Sequence, residues 1–162
     1  MDQRFPMTPA CLDKLRAELK HIREVDRPEN VREIEAALEH GDLRENAEYH
    51  AAKERQGTLD ARLRYVEYRI SLADVIDPTA ITSDRIAFGA TVKLLDLDSE
   101  EELRYAIVGE DESDADKGRI SIRSPIARAM IGKQAGDDIT VQLPRGERDF
   151  AVVEVCYQAI EA

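Results

Sequence analysis

Tryptophan is absent from these 162 residues, and only three phenylalanines and five tyrosines stand beside it as large aromatics. An apolar, aromatic-lined ligand pocket therefore has little to be built from. Cysteine is nearly as scarce. Cys11 and Cys156 lie near opposite ends without metal-ligand spacing, which points to free thiols in a reducing compartment rather than a disulfide or zinc site. No apolar stretch approaches the roughly 20 residues a helix needs to cross a bilayer. Nothing at the start pairs a basic cluster with an apolar run, so a soluble, cytoplasmic protein without a membrane partner is expected. Positive charge is also short. The formal net charge is -11, which repels a nucleic-acid backbone overall and argues against a general DNA-binding domain. Residues 1–80 hold 13 Lys/Arg against 17 Asp/Glu, and residues 81–162 hold 10 against 17. Any contact with nucleic acid must then come from a local basic stripe in the first half.

What the chain does have is helical periodicity. Thr8-Pro9 reads as a helix start, with a threonine N-cap and a proline at the first helical position, where its missing N–H is not needed. Leu12, Leu15, Leu19 and Ile22 recur at three and four residues and draw one apolar seam. Pro28 predicts a kink or restart, after which Val31, Ile34 and Leu38 resume the seam in a new register. Beyond Gly41 a second seam runs through Tyr49, Ala52, Gln56, Leu59, Leu63, Val66 and Ile70. The spacing predicts helices over 9–39 and 43–73 joined by a very short turn, hence an antiparallel pair whose seams cover each other. Such a rod is too thin to hold a globular core.

Asp77-Pro78 predicts the end of the second helix, and a short linker over 78–84 follows. From 85 the pattern turns to strands at 90–95, 103–108, 119–122, 139–143 and 149–157, rich in Val, Ile and Thr. One short helix is predicted over 125–131, capped by Ser124 and stopped by Gly132. Two domains are expected: an α-helical coiled-coil hairpin over 1–77 with its tip at 40–46, and a small α+β domain over 85–162.

The tip reads His40-Gly41-Asp42-Leu43-Arg44-Glu45-Asn46. Asp42 and Glu45, three residues apart, match a capping box, in which the first acid caps a helix and the second reaches back. The same pair also offers hard oxygen ligands for Mg²⁺, too few to hold the ion alone but enough to complete a site whose other ligands come from elsewhere. One carboxylate oxygen can cap while the other faces outward. His40, Asp42, Glu45 and His50 together would suit a transition metal, although their spacing matches no compact ligand motif.

The run from His40 through Glu45 to Glu54 resembles the tip and second helix of the Gre family of bacterial transcript-cleavage factors, in its GreA-like branch. Phe88-Gly89-Ala90-Thr91-Val92 resembles the entry to that family's C-terminal domain, and Ser124-Pro125-Ile126-Ala127-Arg128 with Ile131-Gly132-Lys133 resembles its short helical segment. The likeness covers about 7–157. It implies a coiled-coil hairpin that enters the secondary channel of bacterial RNA polymerase, and an FKBP-like C-terminal domain that docks at the channel's rim. By the same resemblance, Asp42 and Glu45 are the acids that help hold a second, shared Mg²⁺ and orient the water that cleaves the backtracked RNA 3′ end. The chain is then no enzyme itself and binds no cofactor alone. Arg44, Lys53 and Arg55 are expected to guide the RNA, with a solvated helix flank as the plainer reading for Arg62, Arg64 and Arg69. Ser124 and Pro125 are expected to dock on the coiled coil of the polymerase's largest subunit, besides opening their helix. Leu38 stands where relatives carry arginine.

A Gre-like inhibitor that fills the channel without promoting cleavage is the nearest alternative, and the Asp-Leu-Arg-Glu tip favours the activator. Peptidyl-prolyl isomerase activity lacks the aromatic pocket it needs. A plain coiled-coil adaptor would be indifferent to charge at the tip. A monomer is expected.

Overall fold

The computed structural model describes residues 3–41 and 46–160. Their contacts divide the chain into two compact units: Asp13–Leu72, and Met1–Leu12 together with Ala73–Ala162.

The first unit is helical. It holds α1 (Pro9–His21) from Asp13 onward, α2 (Arg27–Leu38) and α3 (Ala47–Ser71). Pro28 does not break the first arm. Instead Ile22–Asp26 forms one π turn, in which the Arg27 N–H reaches back to the Ile22 carbonyl. A wider turn just before proline absorbs the hydrogen bond that proline cannot make. The extra residue also rotates the buried face. Past Pro28 the buried positions are Asn30 and Ala37, with Ile34 half-buried, whereas Val31 and Leu38 are 49% and 46% exposed. The predicted register of Val31, Ile34 and Leu38 is thus corrected by one position.

The arms run antiparallel, as their contacts require: Arg23 meets Glu67, Arg27 meets Asp60, Asn30 meets Ala52 and Ala37 meets Asn46. As one partner's number rises, the other's falls. On α3 the predicted seam is largely observed, with Ala52, Leu63 and Val66 buried and Tyr49, Gln56, Leu59 and Ile70 half-buried. Asn30, only 3% exposed, donates to the Ala52 carbonyl at 2.9 Å, which satisfies a polar group the seam would otherwise bury alone.

The second unit is built on a five-stranded sheet of order β5-β4-β3-β7-β6. Its strands are β3 (Ala90–Asp96), β4 (Glu102–Val108), β5 (Arg119–Ser121), β6 (Asp138–Leu143) and β7 (Gly146–Tyr157). All pairs are antiparallel except β4 with β5, and the β3–β7 register shifts between Lys93 and Leu94. Helix α4 (Pro125–Met130) packs on β6 and closes a core of Ile86, Val92, Leu94, Ile107, Met130, Val141, Phe150 and neighbours. Strict alternation on β6, with Ile139 and Val141 in and Asp138, Thr140 and Gln142 out, is the pattern of a strand with one wet face.

The predicted boundaries of 1–77 and 85–162 do not coincide with these units. Phe5–Met7 (β1) pairs in parallel with Ala73–Val75 (β2), and both belong to the sheet unit. Glu112 accepts from the Thr8 backbone N–H at 3.1 Å and from the Thr8 hydroxyl. A side chain at Gly109 would collide with the Pro6 carbonyl, so only glycine permits this approach. Three-residue strands carry too little pattern to be read from sequence. The expected linker is likewise structured in part, with Pro78 buried at the start of a short 3₁₀ turn, Pro78–Ala80.

Candidate functional site

The site is the distal end of the helical pair, where the two arms approach one another. The first arm stops because Gly41 takes φ +92°, a left-handed conformation that glycine adopts without strain. The amides of His40 and Gly41 turn back to the carbonyls of Ala37 and Leu38 at 3.1 and 3.4 Å. Asp42, Leu43, Arg44 and Glu45 lie outside the described residues.

The second arm starts at Ala47, four residues later than predicted, and Asn46 is its N-cap. Asn46 has an extended backbone, φ -86° and ψ 95°, and its side-chain oxygen accepts the Tyr49 N–H at 3.0 Å. The cap predicted for Asp42 therefore falls to Asn46 in this helix. The Asn46 side-chain amide also donates to the Ala37 carbonyl at 2.6 Å, across to the other arm. Nearby, His40 Nε2 stands 3.4 Å from a Glu48 carboxylate oxygen, with both side chains exposed. The His50 ring meets the Tyr49 ring edge-on at 5.8 Å. Of the four residues weighed as a transition-metal set, Asp42 and Glu45 lie outside the described residues, and the described ones form no cluster of three or more such ligands.

The basic residues behind the tip fare differently. Lys53 is exposed and donates to Gln56 Oε1 at 2.7 Å. Arg55 faces three acids of the other arm: it bonds to Glu33, lies 3.3 Å from Glu29 and 3.8 Å from Asp26. The Glu33 hydrogen bond, ahead of the charges of Glu33 and Glu29, holds its guanidinium above the usual arginine range despite some desolvation. Arg55 is thus neutralised by the protein itself. Arg62 grips Glu18 with two hydrogen bonds, at 2.6 and 2.8 Å, and Arg69 is buried. Both fit the structural reading of the flank.

On the sheet unit, Ser124 Oγ accepts the Ala127 N–H at 3.3 Å and Pro125 occupies the first turn of α4, exposed. Arg123 beside them is paired with Glu110 at 2.8 Å. The expected cap is therefore present.

Residues 5–75 match the family described as transcription elongation factor, N-terminal, and residues 81–157 match transcription elongation factor, GreA/GreB, C-terminal. The chain belongs to the GreA/GreB family of transcription elongation factors. The relative from Nitratiruptor sp., named transcription elongation factor GreA, is 52% identical over 161 residues, covering 99% of this chain and 98% of that protein. The GreA of Wolinella succinogenes is 51% identical over 158 residues, with 98% of each chain covered. The crystal structure of GreA factor homolog 1 of Thermus thermophilus covers 94% of this chain and 99% of its own at 26% identity, with a TM-score of 0.44. The two GreA/GreB family matches meet between 75 and 81, close to the predicted linker, whereas the compact units join β1 to the sheet side.

Sequence reasoning missed Asn46 as a residue of this site. The signal was available, since asparagine is among the best N-cap residues, but the Asp42 to Glu45 spacing competed for the same assignment.

Proposed function

We propose that this chain is a transcription elongation factor that binds bacterial RNA polymerase through its secondary channel and stimulates endonucleolytic cleavage of the backtracked RNA 3′ end. The observation that carries this reading is the position of Asp42-Leu43-Arg44-Glu45 in the chain: between two antiparallel helical arms, immediately beyond Gly41 and before Asn46. A helix of 25 residues, about 37 Å at roughly 1.5 Å per residue, suits a probe that reaches into a narrow channel. The helical unit acts as a coiled-coil hairpin. The sheet unit acts as an FKBP-like module that docks on the largest subunit's coiled coil through Ser124 and Pro125.

Asp42 and Glu45 would hold Mg²⁺ only as a shared ion, because two carboxylates are too few to bind it without further ligands from the polymerase, phosphate and water. When bound, the ion supplies charge stabilisation and a more acidic water for an in-line displacement. Asp42 and Glu45 contribute the two carboxylates and orient that water. Lys53 and Arg44 neutralise RNA phosphate near the tip, while Arg55 serves the hairpin by holding Glu29 and Glu33. The polymerase remains the catalyst, and the factor acts as a monomer in the cytoplasm.

Purified factor added to stalled, backtracked polymerase with Mg²⁺ should shorten the transcript from its 3′ end and restore extension. Binding without shortening would refute the activator reading.

A further inference from the structure

We infer that the sheet unit carries a binding site of its own, a cleft between β4 and the loop before β5 that takes a small molecule bearing adjacent phosphates. The cleft measures about 570 Å³, within the usual range for small-ligand sites. It is lined by β4, by the turn Ala115–Lys117 with the start of β5, and by the segment 158–160 beyond β7. Charge is sorted here. Residues 98–119 contain nine Asp/Glu and three Lys/Arg. All three cations, Arg104, Lys117 and Arg119, line the cleft, whereas Asp116 is the one acid of the nine that does. Elsewhere in the unit Lys93, Arg123 and Arg148 are paired with Glu102, Glu110 and Asp96. Among the described residues, none of the three cleft cations has an ion-pair partner. In a chain of net charge -11, unpaired cations gathered on one concavity point to an anion supplied from outside.

The loop is fastened in the position that brings these cations together. Asp114 Oδ1 accepts the Asp116 N–H at 3.1 Å, and the Gly118 carbonyl accepts the Ala106 N–H of β4 at 2.8 Å. Gly118 takes φ +70°, and a side chain there would stand 2.8 Å from the Arg104 carbonyl oxygen. Only glycine lets the loop lie this close to β4. The neighbouring acids then limit the ligand's size. Glu102 and Asp114 each directly precede a lining residue, so an extended polyanion running out of the cleft would meet like charge. A compact one would not. Adjacent phosphates suit the donors, since guanidinium groups bind phosphate oxygens in pairs and an ammonium adds a point charge. Tyr105 and Ile160 offer apolar surface for an organic group beside them.

Isothermal titration calorimetry of the whole protein at low ionic strength, where charge is least screened, tests this with inorganic tripolyphosphate, ATP, adenosine and a polyglutamate peptide. Tripolyphosphate and ATP should bind one to one, and adenosine and the peptide at least about tenfold more weakly. Lys117→Gln and Arg119→Gln should each weaken tripolyphosphate about tenfold, the scale of one charge-assisted hydrogen bond. Lys117 is exposed at a turn, so its variant keeps the test valid if Arg119→Gln does not fold. Arg145→Gln removes an exposed arginine outside the cleft and should change binding by less than about twofold. ATP bound more tightly than tripolyphosphate would assign the site to nucleotides, and equal binding to the phosphate chain alone, either result upholding it. Equal weakening by Arg145→Gln, undiminished binding in both cleft variants, or no binding of either phosphate probe would overturn the inference. A polyglutamate peptide bound as tightly as tripolyphosphate would overturn it in favour of an extended acidic partner.

Discussion

Along the helical unit the buried positions include two alanines, an asparagine and an arginine, at Ala37, Ala52, Asn30 and Arg69. In the sheet unit, eleven of the buried side chains among the described residues, from Ile86 to Val152, form an apolar cluster. The first arrangement lines Leu15, Ile22, Leu63 and Val66 along a narrow seam beside these small and polar residues, and adds cross-arm polar ties at Asn30, Arg55, Arg62 and Asn46. The second follows the usual logic of burying large side chains between a sheet and a helix. The difference teaches that the helical unit is held by a narrow seam and ties between its arms, and the sheet unit by one clustered apolar core.

The comparison breaks most readily in the sheet unit. Phe150→Ala removes a large side chain from the centre of its core and should destabilise that unit by about 3–5 kcal/mol. Urea unfolding followed by near-ultraviolet circular dichroism measures this. A loss under about 1 kcal/mol would mean the cluster is not the unit's main support. Ala52→Leu probes the opposite case, where the buried residue is small. Forcing a larger side chain between close backbones should cost about 1–3 kcal/mol, read as a lower melting temperature at 222 nm; no change would show the seam to be loose.

Two smaller effects sharpen the electrostatic side. Asp96, buried in the sheet unit, accepts the amides of Asp98 and Ser99 and pairs with Arg148. The Asp98 bond, against a desolvation cost, holds its carboxyl below the usual aspartate range. Because the folded pKa is depressed, this stabilisation is present above the ordinary aspartate value and is lost as pH falls through the folded one. Asp96→Asn should flatten the acid limb of the melting temperature against pH; an unchanged limb would remove Asp96 from the account. Last, Arg55→Ala should lower the melting temperature of the helical unit more than Lys53→Ala, and Lys53→Ala should slow cleavage more than Arg55→Ala. The reverse order would return Arg55 to the RNA.

Much of this architecture was legible in the sequence because long periodic stretches report themselves. All five strands of the sheet and α4 with its Ser124 cap fall within a few residues of their predicted bounds. The misses share a cause. The π turn at Ile22–Asp26 arises from a proline whose consequence, a kink or a wider turn, depends on the surrounding packing. That turn then moved the buried face from Val31 and Leu38 to Asn30 and Ala37. The β1–β2 pair depends on residues 68 positions apart, Phe5 with Ala73, which local pattern does not connect. At the site, the pair of acids was legible as chemistry, while the role of Asn46 required the position of Ala37 on the other arm.

The most direct test of the central claim is transcript cleavage by stalled, backtracked polymerase with the doubly substituted Asp42→Asn, Glu45→Gln factor at saturating Mg²⁺. The account predicts that this variant occupies the polymerase as the wild type does and shortens no RNA. Full stimulation of cleavage by the same variant would contradict it.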